Sequence, residues 1–296
     1  MPEAESEPIV CVNGKFSPLS EARISPFDHG LLYGIGVWDT ANAFNGYIFK
    51  LDEHVDRLFI SGKALGIKVR FSKKELKELI IETVRSNNVE NAYIKFIITK
   101  GVGEPKIDAQ CREQTLIVIA RPAEPLPNPN RLVGRKAAIV SVRSIPPMCG
   151  AEPRIKQLNY LNRYLMMMEG KRHGVDLAIA LDINGYVTEG STANIFIVDK
   201  DVFTPLISQV LAGTTRAAVI EIAQELGIRL AEKLLTPYDL YTADEVFLTA
   251  TGTGFAPIVE IDHKEIGNGK PGPMTIKIYK EYLKMIQKGK HGTPVH

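Results

Sequence analysis

At three places in the chain, an Asn-Gly pair lies between two short apolar stretches. The pairs are Asn13-Gly14, Asn45-Gly46 and Asn184-Gly185. Because Asn-Gly between two strands is a strong signal for a tight turn, each pattern predicts a β-hairpin. The predicted hairpin strands include Ile9–Val12, Val37–Phe44, Tyr47–Phe49, Leu177–Leu181 and Tyr186–Thr188. Further strands are predicted at Tyr93–Thr99, Thr115–Ala120, Lys136–Val142, Ala193–Val198 and Val246–Ala250.

Apolar residues at helical spacing predict helices between these strands. Residues typical of helix starts are Asp52 as an N-cap, Ser72 with Glu75 as a capping box, and Thr214 or Thr215 as an N-cap. Thr236 before Pro237 marks a further helix start, and Gly174 marks a helix end. The last predicted helix runs from about Met274 to Ile286, and a basic, flexible end follows it. Because hairpins predominate, the pattern predicts an α+β fold and not the regular alternation of a doubly wound sheet.

The clearest boundary in the chain is the proline-rich stretch Arg121–Asn130. Prolines at this density can continue neither a helix nor a sheet. We therefore predict an interdomain linker at residues 123–131, with one domain at 1–122 and another at 132–296.

Composition narrows the functional classes. The chain has 296 residues, is 45% hydrophobic and carries a net charge of +2, so it can form a large core and has no charge excess typical of nucleic-acid or membrane binding. Its cysteines, Cys11, Cys111 and Cys149, are far apart, which argues against a disulfide framework. The acidic N-terminus does not resemble a signal peptide, and no apolar run is long enough to span a bilayer. These features predict a cytoplasmic protein.

Two stretches have the composition of phosphate-binding loops. Gly213-Thr214-Thr215 opens a predicted helix, where free backbone N–H groups and the helix dipole favour an anion. Thr251-Gly252-Thr253-Gly254 follows a predicted strand and offers the same groups. Neither matches a Walker A motif. An ordinary helix cap and a tight turn are the alternative interpretations.

Three charged residues stand out by position. Lys156 follows a proline-containing loop and precedes a helix, and a partly desolvated lysine can form imines with carbonyl compounds. Glu189 ends a hairpin strand, and Arg57 lies beside the apolar face of a helix. Solvated side chains remain the alternative for all three. The histidines are scattered, so no metal site is predicted.

Six motifs in order resemble the class IV aminotransferases, which depend on pyridoxal 5'-phosphate (PLP), between about Tyr33 and Pro273. They are Tyr33-Gly34-Ile35-Gly36-Val37-Trp38-Asp39, Leu51-Asp52-Glu53-His54-Val55-Asp56-Arg57-Leu58, Lys156-Gln157-Leu158-Asn159-Tyr160-Leu161, Gly185-Tyr186-Val187-Thr188-Glu189-Gly190, Leu211-Ala212-Gly213-Thr214-Thr215-Arg216 and Ala243-Asp244-Glu245-Val246-Phe247-Leu248-Thr249-Ala250-Thr251-Gly252. The family includes branched-chain and D-amino-acid aminotransferases, (R)-selective amine transaminases and aminodeoxychorismate lyase. Its fold has a small N-terminal domain and a larger domain with a barrel-like sheet, usually in a homodimer.

The resemblance implies a role for each matching residue. Lys156 matches the Schiff-base lysine, Glu189 the carboxylate on the pyridine nitrogen, and Tyr160 the tyrosine that bonds the ring oxygen. Leu211 matches the residue that packs on the ring. The implied phosphate-binding residues are Arg57, Gly213, Thr214, Thr215 and Thr251.

The implied substrate-binding residues are Tyr33, Trp38, Tyr93, Lys95, Gly252 and Thr253. Lys95 stands where branched-chain members usually have an arginine for the side-chain carboxylate of glutamate, and lysine lacks the planar fork of arginine. The expected reaction is transfer of an amino group from an apolar, branched-chain-type amino acid to a keto acid. The alternatives are (R)-amine or D-amino-acid transamination, a PLP lyase, a PLP carrier without turnover, and a phosphate-binding protein without PLP.

Overall fold

A computed structural model describes residues 7–125, 132–144, 152–175, 177–287, 289 and 291–296. The strands, in chain order, are β1 (Ile9–Val12), β2 (Lys15–Pro18), β3 (Gly36–Phe44), β4 (Tyr47–Phe49), β5 (Ala92–Thr99), β6 (Leu116–Pro122), β7 (Arg135–Ile139), β8 (Leu177–Leu181), β9 (Val187–Gly190), β10 (Asn194–Asp199), β11 (Asp201–Thr204), β12 (Leu230–Glu232), β13 (Glu245–Ala250), β14 (Gly254–Ile261), β15 (Lys264–Glu265) and β16 (Gly292–Pro294). The helices are α1 (His29–Tyr33), α2 (Leu51–Ala64), α3 (Lys73–Ser86), α4 (Leu161–Arg172), α5 (Thr214–Glu225), α6 (Pro237–Thr242) and α7 (Pro273–Gln287). The predicted α+β class is confirmed.

Contacts group the chain into two compact units. Unit 1 comprises Met1–Leu126, Ile155–Asn159 and Gly289–His296, and unit 2 comprises Pro127–Arg154 and Tyr160–Lys288. Residues 126–131 of the predicted linker lie outside the described residues. The domain limits predicted from sequence stay a prediction.

Unit 1 is built on an antiparallel sheet with the strand order β16-β4-β3-β5-β6-β1-β2. The predicted hairpins form at Asn13-Gly14 and Asn45-Gly46, where both residues of each pair have positive φ. Helices α2 and α3 pack on one face of this sheet and bury Leu58, Leu76 and other apolar side chains against its central strands. The Ser72–Glu75 capping box that opens α3 is confirmed.

Two sequence predictions for unit 1 are wrong in detail. Helix α2 begins one residue before Asp52, and its N-cap is Lys50 in the left-handed region, so Asp52 lies in the first turn. The end of the chain is not a free tail, because β16 pairs with β4. The guanidinium of Arg85, on α3, donates two hydrogen bonds to the carbonyl of Val295, at 2.6 and 2.9 Å. These bonds link the C-terminal segment to α3.

Unit 2 is built on a mixed sheet with the order β12-β11-β10-β13-β14-β7-β8-β9, and β15 pairs with β14. Strand β9, at one end of this order, also contacts β10 in its middle, so the sheet curls. The hairpin predicted at Asn184-Gly185 is confirmed by the pairing of β8 with β9. Strand β7 ends before the predicted Val142, because the Glu169 carboxylate accepts from the amides of Ser141 and Val142.

The helices of unit 2 match the predicted positions. Helix α5 begins at Thr214, but its N-cap is Gly213, so neither threonine is the cap. Helix α6 opens with the predicted Thr236 and Pro237. In the part of the chain that the structure describes, no helix has both the length and the apolar character needed to cross a membrane.

Candidate active site

Lys156 lies in a short segment, Ile155–Asn159, in which Gln157 forms a β-bridge with Val37 of β3. The amide of Trp38 donates to the carbonyl of Lys156 at 3.0 Å, and the amide of Leu158 donates to the carbonyl of Gly36 at 2.9 Å. The Lys156 amide donates to the Ser61 hydroxyl of α2 at 3.2 Å. The backbone of the lysine is therefore fixed to a central strand of unit 1.

The side chain of Lys156 is buried, with 8% of its surface exposed. Its Nζ atom lies 4.0 Å from the centroid of the Trp38 ring. The indole N–H of Trp38 donates to the carbonyl of Gln157 at 2.9 Å, which sets the orientation of this ring. A desolvated ammonium over an aromatic face is stabilised by the ring quadrupole. The indole therefore positions the end of the lysine.

A buried charged cluster lies on α2 and β3. The Arg57 guanidinium forms two hydrogen bonds with the Asp39 carboxylate, at 2.6 and 2.7 Å, and the His54 Nδ1 lies 2.8 Å from the same carboxylate. Burial alone would raise the pKa of Asp39, but the charges of Arg57 and His54 outweigh it and hold that pKa far below its ordinary value. Burial lowers the pKa of His54 against the opposing pull of Asp39. Asp39 is therefore an anion that fixes Arg57.

Other predicted substrate residues also lie in unit 1. Tyr93 and Lys95 are on β5, beside β3, and the Lys95 Nζ lies 4.2 Å from the centroid of the Trp38 ring. Tyr33 ends α1, and its ring meets that of His29 edge to face at 5.0 Å. The indole of Trp38 therefore contacts both the predicted Schiff-base lysine and a predicted substrate residue.

In unit 2, Glu189 lies on β9 with 2% of its surface exposed. Its carboxylate forms an ion pair with the Arg163 guanidinium of α4. Burial alone would lower the pKa of Arg163, but its attraction to Glu189 is stronger and raises that pKa. The Arg163 Cζ lies 5.7 Å from the ring centroid of Tyr160, which precedes α4. Glu189 is thus a buried carboxylate beside a tyrosine and an arginine.

The loop Leu211–Gly213 brings the start of α5 toward the same carboxylate. The amide of Leu211 lies 3.4 Å from both Glu189 oxygens, and Asn194 Nδ2 donates to the Leu211 carbonyl at 2.9 Å. Because the N-cap of α5 is Gly213, no side chain caps its first turn. A Cβ at Gly213 would overlap the Asn194 Oδ1 atom. A side chain at residue 213 would therefore displace the Asn194 amide, which holds the Leu211 carbonyl.

Threonine hydroxyls surround the first turn of α5. The hydroxyls of Thr214 and Thr251 are 3.5 Å apart, and Thr215 forms a side-chain hydrogen bond with Tyr282. Burial raises the pKa of Tyr282 to about 12, so its phenol stays protonated. Gly252 and Thr253 lie in the exposed turn after β13. The two phosphate-loop candidates of the sequence thus meet at one place.

The structure sorts the sequence-predicted site residues into two groups. Unit 1 carries Tyr33, Trp38, Arg57, Tyr93, Lys95 and Lys156, and unit 2 carries Tyr160, Glu189, Leu211, Gly213, Thr214, Thr215, Thr251, Gly252 and Thr253. Sequence reasoning missed the roles of Asp39, His54, Arg163 and Asn194. The spacing of His54 and Arg57, three residues apart on one helix face, was a usable signal for a shared acidic partner.

The family model of amino-transferase class IV matches residues 36–261 of this chain. A protein of Methanocaldococcus jannaschii, provisionally assigned as a branched-chain-amino-acid aminotransferase, is 42% identical over 94% of this chain and 96% of its own length. The solved branched-chain amino acid aminotransferase of Escherichia coli is similar with a TM-score of 0.92 and 30% identity, over 98% of this chain and 100% of that chain. A branched-chain amino acid aminotransferase from T.th., solved in complex with N-(5'-phosphopyridoxyl)-L-glutamate, has a TM-score of 0.90 and 32% identity, over 99% of this chain and 100% of that chain.

The family model covers more than half of the chain, and the identity to relatives exceeds 30% over nearly its full length. The chain therefore belongs to the class IV aminotransferases. The resemblance found in the sequence motifs is confirmed.

Proposed function

We propose that this protein is a PLP-dependent aminotransferase that moves the amino group of branched-chain amino acids to a keto acid. The observation that carries this proposal is the buried Lys156, fixed by its backbone to β3 and over the Trp38 indole. Relatives named as branched-chain aminotransferases match nearly the whole chain, and one is solved with a phosphopyridoxyl adduct. These names favour the branched-chain reaction over the lyase and carrier alternatives.

The residues of unit 2 fit PLP. A buried carboxylate such as Glu189 suits a protonated pyridine nitrogen, and the uncapped first turn of α5 suits a phosphate dianion. The hydroxyls of Thr214, Thr215 and Thr251 add hydrogen-bond donors to that turn. In unit 1, Arg57 is a guanidinium suited to phosphate. We assign Arg57, Gly213 and the three threonines to the phosphate. Leu211 is assigned to the ring face and Tyr160 to the ring oxygen.

When bound, PLP supplies an electron sink for the carbanion formed at the substrate α-carbon. Lys156 would hold the cofactor aldehyde through its Nζ atom and then carry the proton to and from that α-carbon. Glu189, which is itself paired with Arg163, would accept a hydrogen bond from the pyridine nitrogen of the bound cofactor. Trp38, Tyr33 and Tyr93 offer aromatic surface for an apolar side chain, and the amides of Gly252 and Thr253 offer donors for the α-carboxylate.

Our proposal includes a homodimer in the cytoplasm. Unit 1 exposes apolar side chains on and before α1, with Phe27 50% and Leu31 68% exposed. Such a patch favours a second copy of the chain as its cover. Cys11 and Cys111 carry free thiols, which suits a reducing compartment, and Cys149 lies outside the described residues.

The first test is the visible absorbance of the purified, PLP-loaded protein before and after L-leucine is added. We expect a yellow protein whose colour bleaches with leucine and returns with 2-oxoisocaproate, because the two half-reactions are the reverse of each other. Bleaching by (R)-1-phenylethylamine but not by leucine would replace the proposal with amine transamination. Turnover that does not depend on a keto acid would support the lyase. A protein that stays colourless with PLP would refute the proposal.

Gly213→Ala tests the assignment of the phosphate site. Because the new Cβ overlaps Asn194, either the loop or the Asn194 amide that holds it must move, and we expect the Kd for PLP to rise about 10–100-fold, as for the loss of a hydrogen bond to a charged group. The measurement is fluorescence titration of apo protein with PLP. Gly62→Ala is the matched control, since its Cβ meets the nearest atom at an ordinary 3.4 Å. Equal affinities for the two variants would contradict the assignment.

A further inference from the structure

Arg163 is a largely buried cation in the first turn of α4. The helix dipole favours positive charge at the other end of a helix, where α4 has Lys171 and Arg172. The first turn, Leu161-Asn162-Arg163-Tyr164, has no acidic side chain to offset the charge. Only 18% of the Arg163 side chain is exposed, so water does little to solvate it. Its contacts with the rest of unit 2 must therefore compensate for its burial.

The guanidinium of Arg163 contacts two residues that we assign to the cofactor. Its Nη2 atom donates to Oε1 of Glu189, and its Cζ atom lies 5.7 Å from the ring centroid of Tyr160. Its Nη1 atom donates to the carbonyls of Gly190 and Ser191, at 3.2 and 3.3 Å. These bonds fix the guanidinium against the end of β9. Among the described residues of unit 2, Glu189 and Tyr160 are the ionisable groups that face it.

The Glu189 carboxylate needs this contact to remain charged. Only 2% of Glu189 is exposed, so the carboxylate has almost no access to water. The amide of Leu211 lies 3.4 Å from each of its oxygens, which is long for an N–H···O hydrogen bond. Burial favours the neutral form of a carboxyl group, whereas a neighbouring positive charge favours the ionised form. Arg163 is therefore the group that keeps Glu189 an anion.

We propose that Arg163 is a positioning residue of the cofactor site: it keeps Glu189 ionised, holds one oxygen of its carboxylate, and joins it to Tyr160. The inference rests on the proposed function, which assigns Glu189 to the ring nitrogen and Tyr160 to the ring oxygen. Both edges of the ring then depend on one guanidinium of α4. A neutral carboxyl group would not stabilise a cationic pyridine, and the electron sink would be weaker. Loss of Arg163 should therefore make amino transfer sensitive to the protonation of Glu189.

Infrared spectroscopy of the apo protein tests the charge of Glu189 without cofactor. At about pH 6, the difference spectrum between Arg163→Met and wild type should contain the C=O stretch of a protonated carboxyl group, and a higher pH should remove it. The double variant Arg163→Met/Glu189→Gln should lack this band, because its residue 189 has no carboxyl group. Arg172→Met is the matched control, since Arg172 is an exposed arginine of the same helix. A spectrum of Arg163→Met without the band would overturn the inference.

The pH profile of bleaching by L-leucine tests the consequence in the PLP-loaded protein. At about pH 6 we expect the rate for Arg163→Met to fall about 10–100-fold below that of the wild type, and to recover toward about pH 9 as the unpaired carboxyl group ionises. Arg163→Lys keeps a positive charge, but lysine lacks the fork of arginine, so it should restore most of the rate. Arg172→Met should follow the wild-type profile.

The outcomes separate a positioning role from a structural one. A fall of equal size at every pH would show that Arg163 acts only through folding, and it would overturn the inference. If Arg163→Met does not fold, Arg163→Lys carries the test, with a smaller fall that must show the same recovery at high pH. A wild type that does not bleach with leucine would instead overturn the proposed function, and the infrared result on the apo protein would be unaffected.

Discussion

Replacing Lys156 with alanine is expected to abolish amino transfer from leucine. The loss of the positioned proton carrier accounts for a fall in kcat of about 10²–10⁴-fold by itself, and the loss of the covalent attachment point adds to it. Lys156 is buried with its Nζ atom 4.0 Å from the centroid of the Trp38 ring, whereas Lys63 of α2 is exposed. The measurement is the rate of bleaching by leucine, followed by steady-state turnover with a keto acid.

A chemical readout identifies the lysine directly. Borohydride reduction of the PLP-loaded wild type should leave a phosphopyridoxyl mass on the peptide that contains Lys156, and Lys156→Ala should carry none. Lys63→Ala is the control, because Lys63 is an exposed lysine of α2 in the same unit and should keep full labelling and activity. Labelling of any other lysine in the wild type would show that the assignment of Lys156 is wrong.

The parts of the fold that were predicted from sequence depend on local backbone chemistry. The turns at Asn13-Gly14 and Asn45-Gly46 were correct because both residues of each pair adopt positive φ at low cost, and at Asn184-Gly185 the glycine does so. The capping box at Ser72 and the helix start at Thr236-Pro237 were also correct, since their signals lie within four residues. Local signals of this kind need no knowledge of the rest of the molecule.

The errors lie where distant segments decide the structure. Strand β16 has little strand character of its own, and it forms because β4 and Arg85 supply partners more than 200 residues away. The cap of α2 is Lys50, whose amide donates to the carbonyl of His291 at 2.8 Å in the same C-terminal segment. Neither contact has a signature in the residues around it.

The candidate site divides in the same way. Lys156, Glu189 and Arg57 were assigned to the site because they stand in motifs of a known family, whereas composition and spacing left solvated roles open for each. Asp39 was missed because its importance comes from the face of β3 on which it lies, where it meets His54 and Arg57 of α2. A strand's alternation separates its two faces, but the sequence does not say which residue of the next strand lies opposite.

Replacing Asp39 with asparagine is expected to cost about 3–5 kcal/mol of the free energy of unfolding, the typical effect of removing one partner from a buried ion pair. Asp39 is fully buried, and in the variant its two bonds to Arg57 would be replaced by contacts with an uncharged amide. The measurement is denaturant unfolding of the apo protein, because bound cofactor would shift the apparent stability. Asp56→Asn is the control, since Asp56 pairs with Lys73 on the surface and should change stability by less than about 1 kcal/mol.

The same prediction has a defined pH dependence. The pKa of Asp39 in the folded protein lies below its value of about 3.9 in an unfolded chain. The unfolded state therefore binds this proton first, so the stabilisation is complete above about pH 4 and is lost as the pH falls through the folded pKa. The difference between wild type and Asp39→Asn should be constant from pH 8 to about pH 5 and should shrink below pH 4. A difference that grows toward acid would show that Asp39 is protonated in the folded protein, and Arg57 would then need another anion to hold it.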